Sequence, residues 1–202
     1  MLTIALPKGR IADETFDRFE KAFNQKFIFE DRKLILEQSG FKFLHVRSQD
    51  VPTYVMHKAA DLGVVGLDVL EEKEYDLIKL LDLKLGKCKV AFGLKKGEKL
   101  DFDKSKITIA TKHEKIAKKY FEQKAMAVEI IKLYGSVELA PLVGLCDCIV
   151  DIVETGETMK QNGLEVGPTI METSAHLIAN KNSFYAKKDL IFDLKDKLEK
   201  FL

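Results

Sequence analysis

The sequence is poor in several things, and each shortage excludes something. Three cysteines (Cys88, Cys146 and Cys148) in 202 residues are an odd number and too few for a disulfide framework, which points to the reducing cytosol. No apolar run approaches the roughly 20 residues that a membrane-spanning helix needs. The opening Met-Leu-Thr-Ile-Ala-Leu-Pro-Lys-Gly-Arg reads as a short strand ending in a basic loop, whereas a signal peptide puts its charge first and follows it with a longer apolar region. Net charge is almost absent: 33 Lys+Arg against 32 Asp+Glu leave +1. That argues against a general nucleic-acid or membrane binder, though not against a local basic site. Arginine is scarcest of all. Only four of the 33 basic residues are Arg (Arg10, Arg18, Arg32 and Arg47), all in the first quarter of the chain. Lys is a poor substitute where a planar, bidentate donor is needed. No Walker A, G-x-G-x-x-G, G-x-S-x-G or H-E-x-x-H occurs. The four His form no metal-ligand spacing, and Cys146 and Cys148 lack the neighbours that would complete a zinc site. Those two cysteines read as small buried residues leading into a strand.

What is present is an ordinary globular composition, 46% hydrophobic and 32% charged, with enough chain to bury roughly 70% of its unfolded surface. Strand-like and helix-like stretches alternate. Strands are predicted at 2–6, 34–36, 43–46, 62–65, 78–81, 89–94, 107–110, 128–131 and 149–153, with extended segments at 164–170 and 174–179. Helices are predicted at 11–24, 51–59, 68–73, 113–124, 136–144 and 155–162. A closing helix over 187–202 carries Leu190, Ile191, Leu194, Leu198 and Phe201 on one face. This βαβ pattern implies an α/β fold with mostly parallel strands. The polar, Lys-rich 95–106 stretch divides the pattern into two sets. A two-lobed α/β protein holds its ligand in the cleft between lobes, at strand C-terminal ends.

Three stretches carry chemistry. The run 149–153 is a buried strand, and Thr155-Gly-Glu-Thr158 turns it into a helix. Strand, small hydroxylated loop and helix start make a phosphate cradle, because backbone N–H groups point outward there. Asp151 and Glu154 flank the turn as acceptors for sugar hydroxyls. The plainer reading is that Thr155 caps a helix and Glu157 serves its dipole. Pro7-Lys8-Gly9-Arg10 puts two cations and a flexible Gly at a strand's C-terminal end, where ligands of α/β sheets sit; an ordinary solvated loop is the alternative. Leu62-Gly-Val-Val-Gly-Leu-Asp68 ends a strand and opens a helix, with Asp68 either its N-cap or an acceptor for a ligand amino group. Arg32 and Arg47 stand beside strands, as surface charges or as phosphate ligands.

Together these stretches resemble the ATP phosphoribosyltransferase family. The long signature appears as Glu138-Leu-Ala-Pro-Leu-Val-Gly-Leu-Cys-Asp-Cys-Ile-Val-Asp151-Ile-Val-Glu-Thr155-Gly-Glu-Thr158-Met, with Cys146 where the family usually has Ala, Gly or Ser. Leu6-Pro-Lys-Gly-Arg10, Arg47-Ser-Gln-Asp-Val-Pro52, Gly63-Val-Val-Gly-Leu-Asp68 and Gly135-Ser-Val-Glu138 match as well. The resemblance implies two α/β lobes like those of type II periplasmic binding proteins: residues 1–92 and 176–202 in one, 93–175 in the other. It implies the short form, with no room for a regulatory domain, working as a homodimer within a hetero-oligomer with a regulatory subunit resembling histidyl-tRNA synthetase. The implied reaction is displacement at C1 of 5-phosphoribosyl 1-diphosphate by N1 of ATP, with Mg²⁺ carried by the diphosphate. Lys8, Arg10 and Arg32 are the implied catalytic cations. Glu138, Asp151, Glu154, Thr155, Gly156, Glu157 and Thr158 are implied to bind the phosphoribosyl substrate, and Gly9, Arg47 and Asp68 to bind ATP. Arg18 is expected on the exposed side of the first helix. The competing readings are a non-enzymatic solute-binding module of the same fold and an inactive scaffold for the partner subunit.

Overall fold

The computed structural model describes residues 1–30, 32–101 and 103–202. In chain order its strands are β1 (Leu2–Pro7), β2 (Ile35–Gln38), β3 (Phe41–Val46), β4 (Leu62–Gly66), β5 (Ile78–Asp82), β6 (Cys88–Lys95), β7 (Ile107–Thr111), β8 (Val128–Lys132), β9 (Cys148–Val153), β10 (Leu164–Thr173) and β11 (Ala175–Ala179). The helices are α1 (Arg10–Phe23), α2 (Val51–Met56), α3 (Leu67–Lys73), α4 (Glu114–Glu122), α5 (Leu139–Leu142), α6 (Glu157–Gln161), α7 (Lys181–Ala186) and α8 (Lys188–Glu199). The chain divides into two units, Met1–Gly86 with Ser174–Leu202, and Lys87–Thr173.

The first unit is a six-stranded sheet in the order β2-β3-β1-β4-β11-β5. Its core forms because α1 places Phe16, Phe19 and Phe23 three and four residues apart, on one helical face. Phe19 is fully buried and packs edge-on against Phe41 and Phe43 at 5.5 and 5.3 Å. Strand β4 is buried along its whole length. A Cβ on Gly63 would stand 2.7 Å from Val51 and 2.8 Å from Val55, so glycine lets α2 lie directly on β4. The second unit is a five-stranded sheet in the order β10-β6-β9-β7-β8, its core centred on Phe92, Ile107, Ile109 and Phe121.

Several expectations are corrected. The strands are mixed rather than mostly parallel. β1 runs parallel to β3 and β4, and β7 to β8 and β9, but β2–β3, β4–β11, β5–β11, β6–β9 and β6–β10 are antiparallel. One cause is local: Ser39 and Gly40, at φ +52° and +83°, make the two-residue turn with both central residues left-handed that folds a hairpin. The first unit ends at Gly86 rather than 92, because β6 takes its hydrogen bonds from β9 and β10. The helix over 136–144 shrinks to α5, after Ser136 adopts φ +49°. The closing helix is preceded by a separate α7, whose N-terminus the Asn180 side chain caps by accepting from the N–H groups of Asn182 and Ser183. Of the expected apolar face of α8, Ile191, Leu194 and Leu198 are buried, while Leu190 and Phe201 are exposed. Arg18 is half-buried and donates to the carbonyl of Phe201, so it ties α1 to the end of the chain.

Asp61, just before β4, joins three segments. Its Oδ2 accepts from Thr3 N–H at 2.9 Å and from Lys187 Nζ at 2.7 Å, and its carbonyl accepts from Asn180 N–H at 3.0 Å. Burial opposes the charged form, but the Lys187 and Thr3 hydrogen bonds outweigh it and hold the carboxyl below the ordinary aspartate value of 3.8. A group with a depressed value contributes stability above its unfolded value and loses it as pH falls through the folded one. Asp61→Asn is therefore expected to cost about 2 kcal/mol at neutral pH and much less in acid below the lowered folded value. Denaturant unfolding at both pH values measures this; an equal cost at both would contradict it.

Candidate active site

In the second unit the parallel pairing of β7 with β9 sets Thr111 beside Val150, and antiparallel β6 flanks the other side of β9. The loop after β9 therefore leaves the sheet from a strand held on both edges. Gly156 takes φ +82° at the entry to α6, a left-handed conformation that glycine adopts without a steric penalty. A Cβ there would meet Val166 at 2.9 Å. The turn is closed by Thr155 Oγ1, which accepts from Glu157 N–H at 3.3 Å. A hydroxyl that accepts one bond keeps its own proton to donate, so this local cap and an anion contact are compatible. Helix α6 is five residues long. Its dipole is correspondingly short, and the loop's own N–H groups carry most of the attraction for an anion.

Glu138, Asp151, Glu154, Thr155, Gly156 and Thr158 line one cavity of about 300 Å³, with Ile152, Val153 and Met159. Six residues chosen from sequence thus meet around one space within one unit. Glu157 contributes its N–H to the turn, while its carboxylate accepts from Gln161 at 3.4 Å along α6. The donors (hydroxyls and amides) sit beside acceptors (carboxylates), a mixture suited to a ligand that carries both an anion and hydroxyl groups. Lys112 and His113 had no signal in the sequence reading. Lys112 Nζ lies 3.0 Å from Asp151 Oδ1, and His113 Nε2 lies 3.8 Å from it. Cys146 and Cys148 are buried as expected; burial, with Cys146 and Asp147 nearby, pushes the Cys148 thiol up to about 12, so it is inert.

In the first unit, β1 and β3 are parallel with Pro7 opposite Val46, so Lys8-Gly9-Arg10 and Arg47 leave the sheet at one edge. Parallel β4 delivers Asp68 to the same edge. Antiparallel β2 starts opposite the end of β3, Ile35 beside Leu44, which brings Arg32 there too. Arg10, Arg32 and Arg47 are exposed, and Arg10 pairs with Glu14 at 3.5 Å. Gly9 takes φ +88° with open space where a side chain would stand. Asp68 is not an N-cap: Gly66 holds that position, and Asp68 is buried in the first turn of α3. His45 shows the local field. It stacks on Phe29 at 3.6 Å, and burial, reinforced by the Lys8 ammonium, lowers its pKa below 6.5. Asp31 lies outside the described residues.

The family model for ATP phosphoribosyltransferase matches residues 47–200. The chain belongs to the ATP phosphoribosyltransferase family. An ATP phosphoribosyltransferase of Wolinella succinogenes is 64% identical over 200 residues, covering 99% of this chain and 97% of that protein. One from Nitratiruptor sp. is 62% identical over 202 residues, covering 100% and 98%. The match in length to such relatives makes this the family's short form. Among solved structures, the ATP phosphoribosyl transferase (HisG:HisZ) complex from Thermotoga maritima is 36% identical with a TM-score of 0.85, covering 99% of this chain and 98% of that one. A substrate-binding protein of an amino acid ABC transporter aligns at 12% identity with a TM-score of 0.62, covering 98% and 91%. At that identity it shares the fold, that of the type II periplasmic binding proteins.

Gly156→Val puts a β-branched residue at positive φ and against Val166. It is expected to destabilise the second unit by about 1–3 kcal/mol. Denaturant unfolding read by hydrogen exchange checks this; native protection across β9 and α6 would contradict it.

Proposed function

We propose that this chain is the catalytic subunit that transfers the 5-phosphoribosyl group from 5-phosphoribosyl 1-diphosphate to N1 of ATP, the first step of histidine biosynthesis. The observation that carries the assignment of roles is the cavity in which Glu138, Asp151 and Glu154 meet Thr155, Gly156 and Thr158. A ribose 5-phosphate needs both kinds of group: N–H and hydroxyl donors for the phosphate, carboxylate acceptors for the 2- and 3-hydroxyls.

In the reaction the C1–O bond to diphosphate breaks and a bond from adenine N1 to C1 forms. Positive charge develops on the ribose and negative charge on the departing diphosphate. Carboxylates beside the ribose favour the first, and preorganised cations favour the second. Lys8, Arg10 and Arg32 supply those cations, and the Arg forks match phosphate oxygens two at a time. Mg²⁺ carried by the diphosphate substrate would share the charge that these residues neutralise. Gly9, Arg47 and Asp68 serve ATP, with Asp68 toward the adenine. Glu157 belongs to the phosphate loop through its backbone. Adenine N1 attacks with its own lone pair, so no general base is required, and catalysis rests on alignment of the two substrates.

In our reading the chain acts as a homodimer within a hetero-oligomer whose other member is a regulatory subunit resembling histidyl-tRNA synthetase; the Thermotoga maritima relative is named as a HisG:HisZ complex. Among the described residues no helix is long and apolar enough to cross a membrane, and we place the enzyme in the cytoplasm, with no nucleic-acid role.

Diphosphate release from ATP, phosphoribosyl diphosphate and Mg²⁺ is expected, and its rate is expected to change on adding the regulatory subunit; no release under either condition would overturn the assignment. Thr155→Ala is expected to raise KM for phosphoribosyl diphosphate about tenfold, from a lost charged hydrogen bond, and to leave KM for ATP unchanged. Arg10→Lys and Arg32→Lys are expected to lower kcat; native kinetics would reduce the arginine scarcity to compositional bias.

A further inference from the structure

The cavity has an electrostatic difficulty. Three of its lining residues are carboxylates, Glu138, Asp151 and Glu154, yet its ligand brings a phosphate and a diphosphate. A carboxylate that lacks a nearby cation repels both. The cations assigned to the phosphates above, Lys8, Arg10, Arg32 and Arg47, all belong to the first unit. Lys112, in the second, pairs with Asp151, which lines this cavity, and neither its type nor its neighbours in sequence announce it.

The sheet register explains how it gets there. Thr111 is paired with Val150, so the residues that follow them, Lys112 and Asp151, lie side by side. The turn is strapped to β9 on that pairing: Thr111 Oγ1 donates to Val150 O at 2.6 Å and accepts from His113 N–H at 2.9 Å. Lys112 Nζ then reaches Asp151 Oδ1 at 3.0 Å. The same oxygen accepts from Ile152 N–H at 2.8 Å, and the buried His113 ring closes in on it at 3.8 Å. Among the described residues, every one of these contacts falls on Oδ1. That leaves Oδ2 as the oxygen for a ligand.

We propose that Lys112 is a positioning residue for phosphoribosyl diphosphate, holding Asp151 by one carboxylate oxygen so that the other accepts from a ribose hydroxyl while the charge toward the phosphates is offset. This rests on the reading of Asp151 as a ribose ligand. The Lys112 ammonium is partly exposed, at 36%, and an ion pair with one solvated partner contributes little to folding. Its role is therefore local to the site. Binding the ribose in one orientation improves the ground-state complex, so the effect falls on KM for this substrate rather than on KM for ATP.

Steady-state kinetics on the assembled enzyme with Lys112→Met, Lys112→Arg, Asp151→Asn and the Lys112→Met/Asp151→Asn double variant test this. Lys112→Met is expected to raise KM for phosphoribosyl diphosphate about tenfold, as for loss of one charged hydrogen bond, with KM for ATP within about twofold. Lys112→Arg recovers most of that loss. Because Lys112 works through Asp151, its removal adds less than about twofold in the Asp151→Asn background. An unchanged KM in Lys112→Met, alongside a raised one in Asp151→Asn, overturns the positioning role and leaves the ribose reading intact. Full multiplication of the two single effects also overturns it, since Lys112 would then touch the substrate independently. An unchanged KM in Asp151→Asn removes the ribose reading itself, and the proposal with it.

Discussion

The pairing of β9 between β6 and β7 is the constraint on which the rest of the proposed chemistry depends. A central strand cannot slip by one residue without turning every side chain to the opposite face. Ile149 and Val150 are fully buried on opposite faces of the sheet, Ile149 with Met159 and Leu164 and Val150 with Phe92 and Ile109, so slippage would exchange them between two cores that each fit a different side chain. Fixing β9 therefore fixes where it ends, where Gly156 turns left-handed, and which side chains surround the cavity. It also fixes Lys112 against Asp151 through the adjoining strand. Four features of the site follow from one register.

The first unit applies the same logic to charge of the opposite sign. Parallel β1, β3 and β4 and antiparallel β2 deliver Lys8, Arg10, Arg47, Asp68 and Arg32 to one edge of one sheet. These residues are scattered over sixty positions of sequence, and only Lys8 and Arg10 share a junction, that between β1 and α1. His45 sits at that edge, its pKa lowered first by burial and further by the Lys8 ammonium. The proposed displacement at C1 of a sugar diphosphate calls for cations beside the leaving group and carboxylates beside the ribose.

Much of this was legible in the sequence, and the exceptions have identifiable causes. Every helix except α7 was anticipated, because apolar spacing in α1, α4 and α8 is a local signal. The signature around Thr155-Gly-Glu-Thr158 is local too, and it located the cavity. Strand direction was misjudged because it is decided by connections: the Ser39-Gly40 hairpin and the return of β11 from the second unit make antiparallel pairs inside an otherwise βαβ pattern. The lobe boundary at 92 failed for the same reason, since β6 reads as any other strand until its partners are known. Arg18 reads as a surface charge in the sequence because its acceptor, the Phe201 carbonyl, lies at the other end of the chain. Lys112 and His113 were missed because Lys is common everywhere in this sequence and a register between two strands is not visible in either alone.

The central claim is that the loop after β9 seats the 5-phosphate of the substrate. The second unit holds another cavity, of about 400 Å³, at the end of the sheet where β7 and β9 begin, lined by residues that include Lys104, Thr108 and Asp147. Titrating the ¹⁵N-labelled protein with ribose 5-phosphate discriminates directly between the two. The account predicts saturable amide shifts concentrated at Thr155, Gly156, Glu157 and Thr158. Shifts centred on Lys104, Thr108 and Asp147, with the loop unmoved, would contradict it.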